Sequence, residues 1–163
     1  MRVTDDGCGI AHDEIPTAFL RHATSKVKSA DDLNKIFTLG FRGEALASVA
    51  AVAKVELLTK ESSETLGSSF KISGGEILEH ERTGCPDGTT IVIRDLFYNV
   101  PARQKFLKKD VTEGNQVQGL VDKLALAHPD VCFKFIRDNK LVRSTGGDGD
   151  SFSEYHICFH RQA

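Results

Sequence analysis

Between residues 55 and 94 the chain alternates apolar and polar side chains in short runs, and glycine-containing turns separate the runs. Residues 55–59, 69–73, 77–82 and 89–94 each read as a strand, because a period of two sends successive side chains to opposite faces of a sheet. Gly74-Gly75 leaves room only for a tight hairpin between the second and third runs, and Pro86 with Asp87-Gly88 makes a turn before the fourth. Residues 2–4 add the end of another strand, running into a turn over residues 5–9.

Helical periods flank this core. Residues 13–23 place Ile15, Phe19, Leu20 and Ala23 on one face. Residues 26–35 read as a loop and a short helix with Ser29 as a candidate N-cap. Residues 44–53 are alanine-rich, with Leu46, Val49 and Val52 available to pack closely on a sheet. Pro101 can open a helix through residue 107. Residues 112–127 carry Val117, Leu120, Val121 and Leu124 on one stripe, and His128-Pro129 stops the helix. Residues 131–136 and 141–143 form a hairpin across Asp138-Asn139. Helices mixed with antiparallel hairpins predict an α/β fold: a two-layer α/β sandwich on a mixed, largely antiparallel sheet, not a doubly wound parallel one.

The length of 163 residues is one domain's worth. The net charge of −2 excludes a protein held to nucleic acid by bulk charge, so any DNA contact must be local. No apolar run approaches the roughly 18 residues of a membrane span, and the N-terminus lacks the apolar stretch of a signal peptide. A cytoplasmic protein with no membrane partner is expected, its four cysteines (Cys8, Cys85, Cys132 and Cys158) reduced. His156, Cys158 and His160 alternate onto one face of a strand, but structural zinc needs a fourth ligand and a wider loop, so no metal site is expected there.

There is no phosphate loop of the G-x-x-x-x-G-K-[ST] type, no G-x-S-x-G, no H-E-x-x-H and no kinase H-R-D. Three clusters can carry chemistry. In Asp5-Asp6-Gly7-Cys8-Gly9-Ile10 a carboxylate that can accept from an exocyclic amine stands beside glycines that admit a ligand to the backbone; the same residues also suit a solvated turn. In His22-Ala23-Thr24-Ser25-Lys26 two hydroxyls and a mobile ammonium suit a phosphate lid, or else a helix C-terminus compensated by a cation. In Gly40-Phe41-Arg42-Gly43-Glu44-Ala45-Leu46 two glycines enter a helix whose free N–H groups can hold an anion, with Arg42 adding charge; the alternative is an ordinary glycine turn.

Taken in that order, the clusters resemble MutL-type DNA mismatch repair proteins, members of the GHKL, or Bergerat-fold, ATPases. GFRGEAL over residues 40–46 is similar to the family's signature heptapeptide, HATSK over 22–26 to its lid, and residues 5–10 to its second nucleotide motif. Gly88-Thr89 and the run DLFYNVPAR over 95–103 resemble its fourth motif and the segment after it. The resemblance covers residues 1–145 and implies an ATP site. Asp5 would bind the adenine amino group and Thr89 support the adenine side through water. Gly7 and Gly9 would allow close approach. Thr24, Ser25 and Lys26 would lie in the lid, and Arg42, Gly43, Glu44, Ala45 and Leu46 would present backbone amides to the phosphates. It further implies a homodimer formed through ATP-bound N-terminal domains, a mismatch-recognition protein as partner, and DNA. Arg103, Lys105, Lys108 and Lys109 are candidate phosphate contacts, or else a solvated helix face.

The family's first motif, with its general-base Glu and magnesium-binding Asn, lies on a helix ahead of the aspartate turn, and only four residues precede Asp5. The expectation is therefore a partial ATPase domain over 1–145 that lacks its first helix, contains no catalytic residue or Mg2+ ligand, and is inactive alone. Residues 146–163 form a divergent tail, a linker towards a second domain, for which a frameshift or truncation is one hypothesis. The alternative function is a non-catalytic DNA- or partner-binding module that keeps the fold without turnover.

Overall fold

A computed structural model describes residues 1–20 and 44–150. They fall into two compact units, Met1–Lys105 and Phe106–Ala163. The first is built on five strands: β1 (Arg2–Asp5), β2 (Lys54–Lys60), β3 (Gly67–Ser73), β4 (Glu76–Thr83) and β5 (Gly88–Arg94), in the order β1-β5-β2-β3-β4. Every pairing among them is antiparallel. The Gly74-Gly75 turn works because both residues take positive φ, 60° and 91°, which matches the twist of the strands it joins.

Period two decides the layers. Val55 and Leu57 on β2, Phe70 and Ile72 on β3, and Ile91 and Ile93 on β5 face one side. Against them pack Ile15 and Phe19 at α1 (Ile15–Ala18), with Leu46, Val49, Ala50 and Ala53 in and after α2 (Ala45–Ala50). Phe19 stacks on Phe70 with ring centroids 5.0 Å apart. The opposite face carries Glu56, Lys71, Glu79 and Arg94, paired as Arg94–Glu56 and Lys71–Glu79. β4 is an edge strand whose charged sequence EILEHERT discourages further pairing.

The helix expected over 13–23 is shorter in its described part. A 3-10 turn (His12–Glu14) leads into α1, which closes at Ala18 with three-residue bonds from Phe19 N–H to Pro16 O and Leu20 N–H to Thr17 O. Residues 26–35 lie outside the described residues. Pro101 does open a helix, α3, but it ends at Gln104 instead of residue 107, after a last bond from Lys105 N–H to Pro101 O.

The turn before α1 joins the β4 edge through a ring stack. The imidazoles of His12 and His80 lie 3.9 Å apart, His80 meets Phe70 edge-on, and His12 Nδ1 is 2.8 Å from the buried hydroxyl of Ser68. Burial holds His12 below the ordinary imidazole value; His80 and Arg82 push the same way, against Asp13 and Glu64.

The second unit pairs α4 (Asp110–Ala127) with a hairpin of β6 (Lys134–Arg137) and β7 (Lys140–Ser144). Asp138 and Asn139 take φ of 51° and 61° at its tip, a conformation their short polar side chains tolerate. The helix forms where expected, but its apolar stripe is only partly its buried face: Val117 is exposed and Leu120 is 58% exposed, Val121 and Leu124 are half-buried, and Asp122 and Ala125 are buried. Arg143 of β7 accounts for the inward Asp122. Its Nε lies 3.3 Å from Asp122 Oδ1, with side chains 10% and 12% exposed, and the pair needs Asp122 turned inward.

Two outcomes follow. Asp122→Ala removes the carboxylate from a shielded ion pair and should cost about 1–3 kcal/mol in urea unfolding, while Leu120→Ala, at an exposed position, costs under about 1. A lowered imidazole pKa means the native state disfavours a proton that the unfolded chain accepts from about pH 6.5 downward, so the His12 contribution is complete above that value and declines as acid is added. The melting temperature of the wild-type chain should drop more between about pH 7.5 and 5.5 than that of His12→Asn; equal drops would remove His12 from the account.

Candidate functional site

The core face of the sheet becomes polar at one end. Val3, Ile91, Leu57 and Phe70 form one row across β1, β5, β2 and β3, and the next row is Asp5, Thr89, Thr59 and Ser68. Thr59 and Ser68 are each 1% exposed, whereas Asp5 is open to solvent. The same side-chain parity that builds the core thus delivers a carboxylate and three hydroxyls in line.

The segment after β1 folds back over this row and is fastened at two points. Ile10 N–H donates to Thr59 Oγ1 at 2.9 Å, and His12 meets Ser68. Its first bend is an aspartate turn: Gly7 N–H donates to Asp5 Oδ1 at 3.0 Å, which fixes the carboxylate and leaves Oδ2 without a partner among the described residues. Gly9 has φ 76°, and a Cβ there would collide with the Lys60 carbonyl; Gly88 has φ 93°, and a Cβ there would collide with the Asp5 carbonyl. These two glycines let the turn lie flat against the ends of β2 and β5.

At the other end of β2 the segment after β5 holds α2. Phe97 N–H donates to Val52 O at 2.7 Å and Asn99 Nδ2 to Ala51 O at 3.0 Å. The β3–β4 turn supplies Gly75 N–H to Ala50 O and Gly74 N–H to Ala53 O, at 2.9 and 3.3 Å. The carbonyls of Ala50, the last residue of α2, and of the three residues after it are thus all satisfied. The geometry costs two non-glycine residues in left-handed conformation, Asp95 at φ 51° and Phe97 at φ 64°. Lys54 Nζ, 2.8 Å from Asp95 Oδ2, secures the bend; their hydrogen bond holds Asp95 below the usual carboxylate range and raises Lys54.

Among the residues singled out from sequence, Asp5, Gly7, Gly9 and Thr89 come together here. Glu44, Ala45 and Leu46 stand at the start of α2, on the same face of the sheet, with the Leu46 side chain against the core. Thr24, Ser25, Lys26, Arg42 and Gly43 lie outside the described residues. Arg103, Lys105, Lys108 and Lys109 are all exposed; the first two belong to the first unit and the others to the second. No described helix is long and apolar enough to cross a membrane. Sequence reasoning passed over Thr59, Ser68 and His12. Thr59 carried a signal: it stands at the inward parity of Val55 and Leu57, where a polar residue needs a partner.

No family model matches the chain. Across 162 residues it is 51% identical to the DNA mismatch repair protein MutL of Agathobacter rectalis, over 99% of this chain and 25% of that protein. The MutL of Caldanaerobacter subterraneus subsp. tengcongensis is 51% identical over 149 residues, 91% of this chain and 25% of its own length. The chain thus spans about a quarter of the length of the curated relatives it matches. The Aquifex aeolicus MutL ATPase domain, solved in complex with ADP, superposes with a TM-score of 0.74 at 30% identity, covering 98% of this chain and 56% of that one. Half the residues held in common with MutL proteins, on a backbone that follows a MutL ATPase domain, place this chain in the MutL family of DNA mismatch repair proteins as a stretch of the ATPase domain.

Proposed function

We propose that the row Asp5–Thr89–Thr59 is the adenine end of an ATP site, in a protein that couples ATP binding and slow hydrolysis to mismatch repair. The observation that carries this is the fixed carboxylate: one Asp5 oxygen is engaged by Gly7 N–H, and the other is open to a ligand beside Thr89. A carboxylate only accepts, so it suits the amino group of adenine. Gly7 and Gly9 keep side chains off the approach. Thr24, Ser25 and Lys26 close over the phosphates, and Arg42 to Leu46 offer them backbone amides.

Magnesium, when bound, holds the triphosphate for attack by water. The family's metal-binding Asn and general-base Glu lie on its first-motif helix, so the role proposed for Asp5, Gly7, Gly9 and Thr89 is to bind and orient the nucleotide, while that helix supplies the metal ligand and the base. In the intact protein, binding orders the lid, joins two N-terminal domains and passes the signal from a mismatch-recognition protein to DNA, with Arg103, Lys105, Lys108 and Lys109 as phosphate contacts. Residues 1–145 are the ATPase portion, 146–163 lead towards a second domain, and the setting is the cytoplasm.

Calorimetry tests the reading on two forms, this chain and the same chain carrying the family's first-motif helix ahead of Met1. Magnesium-dependent ATP binding and hydrolysis are expected in the extended form and not in the 163-residue form. Asp5→Asn in the extended form puts a donor where the adenine amino group needs an acceptor and should weaken ATP binding by at least about tenfold. An extended chain that ignores ATP, or an Asp5→Asn variant with full ATP affinity, would leave the non-catalytic interaction module as the better account.

A further inference from the structure

The Thr59 hydroxyl has three neighbours: Ile10 N at 2.9 Å, Gly88 O at 3.1 Å and Thr89 Oγ1 at 3.0 Å. A hydroxyl owns one proton and two lone pairs. The Ile10 amide can only donate, and the Gly88 carbonyl can only accept. The Thr59 proton therefore goes to Gly88 O, one lone pair takes the Ile10 N–H, and the remaining lone pair can only receive a proton from Thr89. Because Thr59 is buried, no water competes for these positions and the direction of each bond is fixed.

We propose that Thr59 is a positioning residue that turns Thr89 into a pure acceptor and thereby sets the preference of this site for a base presenting an N–H donor. With its single proton committed inward, Thr89 Oγ1 shows only lone pairs to a ligand or bridging water. Its cross-strand neighbour Asp5 is also an acceptor. Two acceptors side by side match the 6-amino group of adenine and oppose the 6-keto oxygen of guanine, which would face lone pairs from both. Thr59 touches no base itself; it acts through Thr89. This inference rests on the adenine-nucleotide reading above.

The test titrates ATP and GTP into whichever of the two forms binds ATP, as wild type, Thr59→Val, Thr59→Ser and Thr89→Ala. Thr59→Val keeps the shape and removes the acceptor, so the Thr89 proton becomes free to point at the ligand. The ratio of ATP to GTP affinity should fall by about tenfold. Thr59→Ser restores the hydroxyl and should restore the ratio, which a role in packing alone would not require. Thr89→Ala is independent of whether the valine variant folds: it should weaken ATP binding and leave GTP binding unchanged or stronger. A valine variant that is folded and keeps the wild-type ratio, or an alanine variant that loses ATP and GTP equally, overturns the assignment. If neither wild-type form binds ATP, the nucleotide reading itself has failed.

Discussion

A helix of six residues has no stability of its own, because nucleation costs more than its few bonds return. Yet α2 packs on the core and begins within the glycine-rich heptapeptide. What holds it is the closure of the carbonyls at and just beyond its end. Ala50, its last residue, and Ala51, Val52 and Ala53 after it each receive a donor, two from the glycine turn between β3 and β4 and two from residues 97 and 99. The sheet edge and the segment after β5 thereby fix a helix to which neither is adjacent in sequence. The left-handed φ of Phe97 belongs to this closure: only that bend aims its N–H at the Val52 carbonyl while Asn99 reaches back to Ala51. Strain of about 1–3 kcal/mol per residue persists only where the surroundings over-determine it, and here Lys54, Asp95 and the Ser73–Tyr98 hydroxyl contact do so.

From that end to the other, β2 acts as a ruler. Lys54 begins where α2 is clamped, and Thr59 lies about 17 Å further on, at about 3.4 Å per residue. Along the strand the inward side chains are Val55, Leu57 and Thr59. The first two close the core and the third opens the site. Placing a polar residue at that parity would leave a stranded hydroxyl in most sheets. Here the returning segment after β1 and the first residues of β5 saturate it, so one buried oxygen ties together the aspartate turn, the Gly88 bend and Thr89.

Much of this was legible in the alternation of the chain. The strands of the five-stranded sheet, the Gly74-Gly75 turn and the Asp138-Asn139 turn need only local rules and form where period and turn chemistry put them, whereas β6, expected over 131–136, begins only at Lys134. Asp5, Gly9 and Thr89 were also visible as motif residues. Two things were not. Gly9 reads as a glycine that makes room for a ligand and Gly88 as a turn residue, whereas both are required by carbonyls of neighbouring strands, a contact across the sequence that no local pattern records. The buried face of α4 was misread for a related reason. Hydrophobic periodicity locates an apolar stripe, but an ion pair with a strand some twenty residues later turned Asp122 inward and left Leu120 in the open.

The two units therefore bury their interiors with different chemistry. In the first unit aromatic and aliphatic packing around Phe70 is continuous up to the polar row, so β1, β5 and β2 are held together at that end. A close-packed core resists gradual deformation, and such elements move as wholes. α2 rests its side chains on the same core, while the carbonyls of Ala51 and Val52 just after it are met by the 95–99 bend. Just beyond that bend lie Arg103 and Lys105. The polar row is thus joined, through β2, α2 and the strained five-residue bend, to the exposed Arg103 and Lys105 that follow.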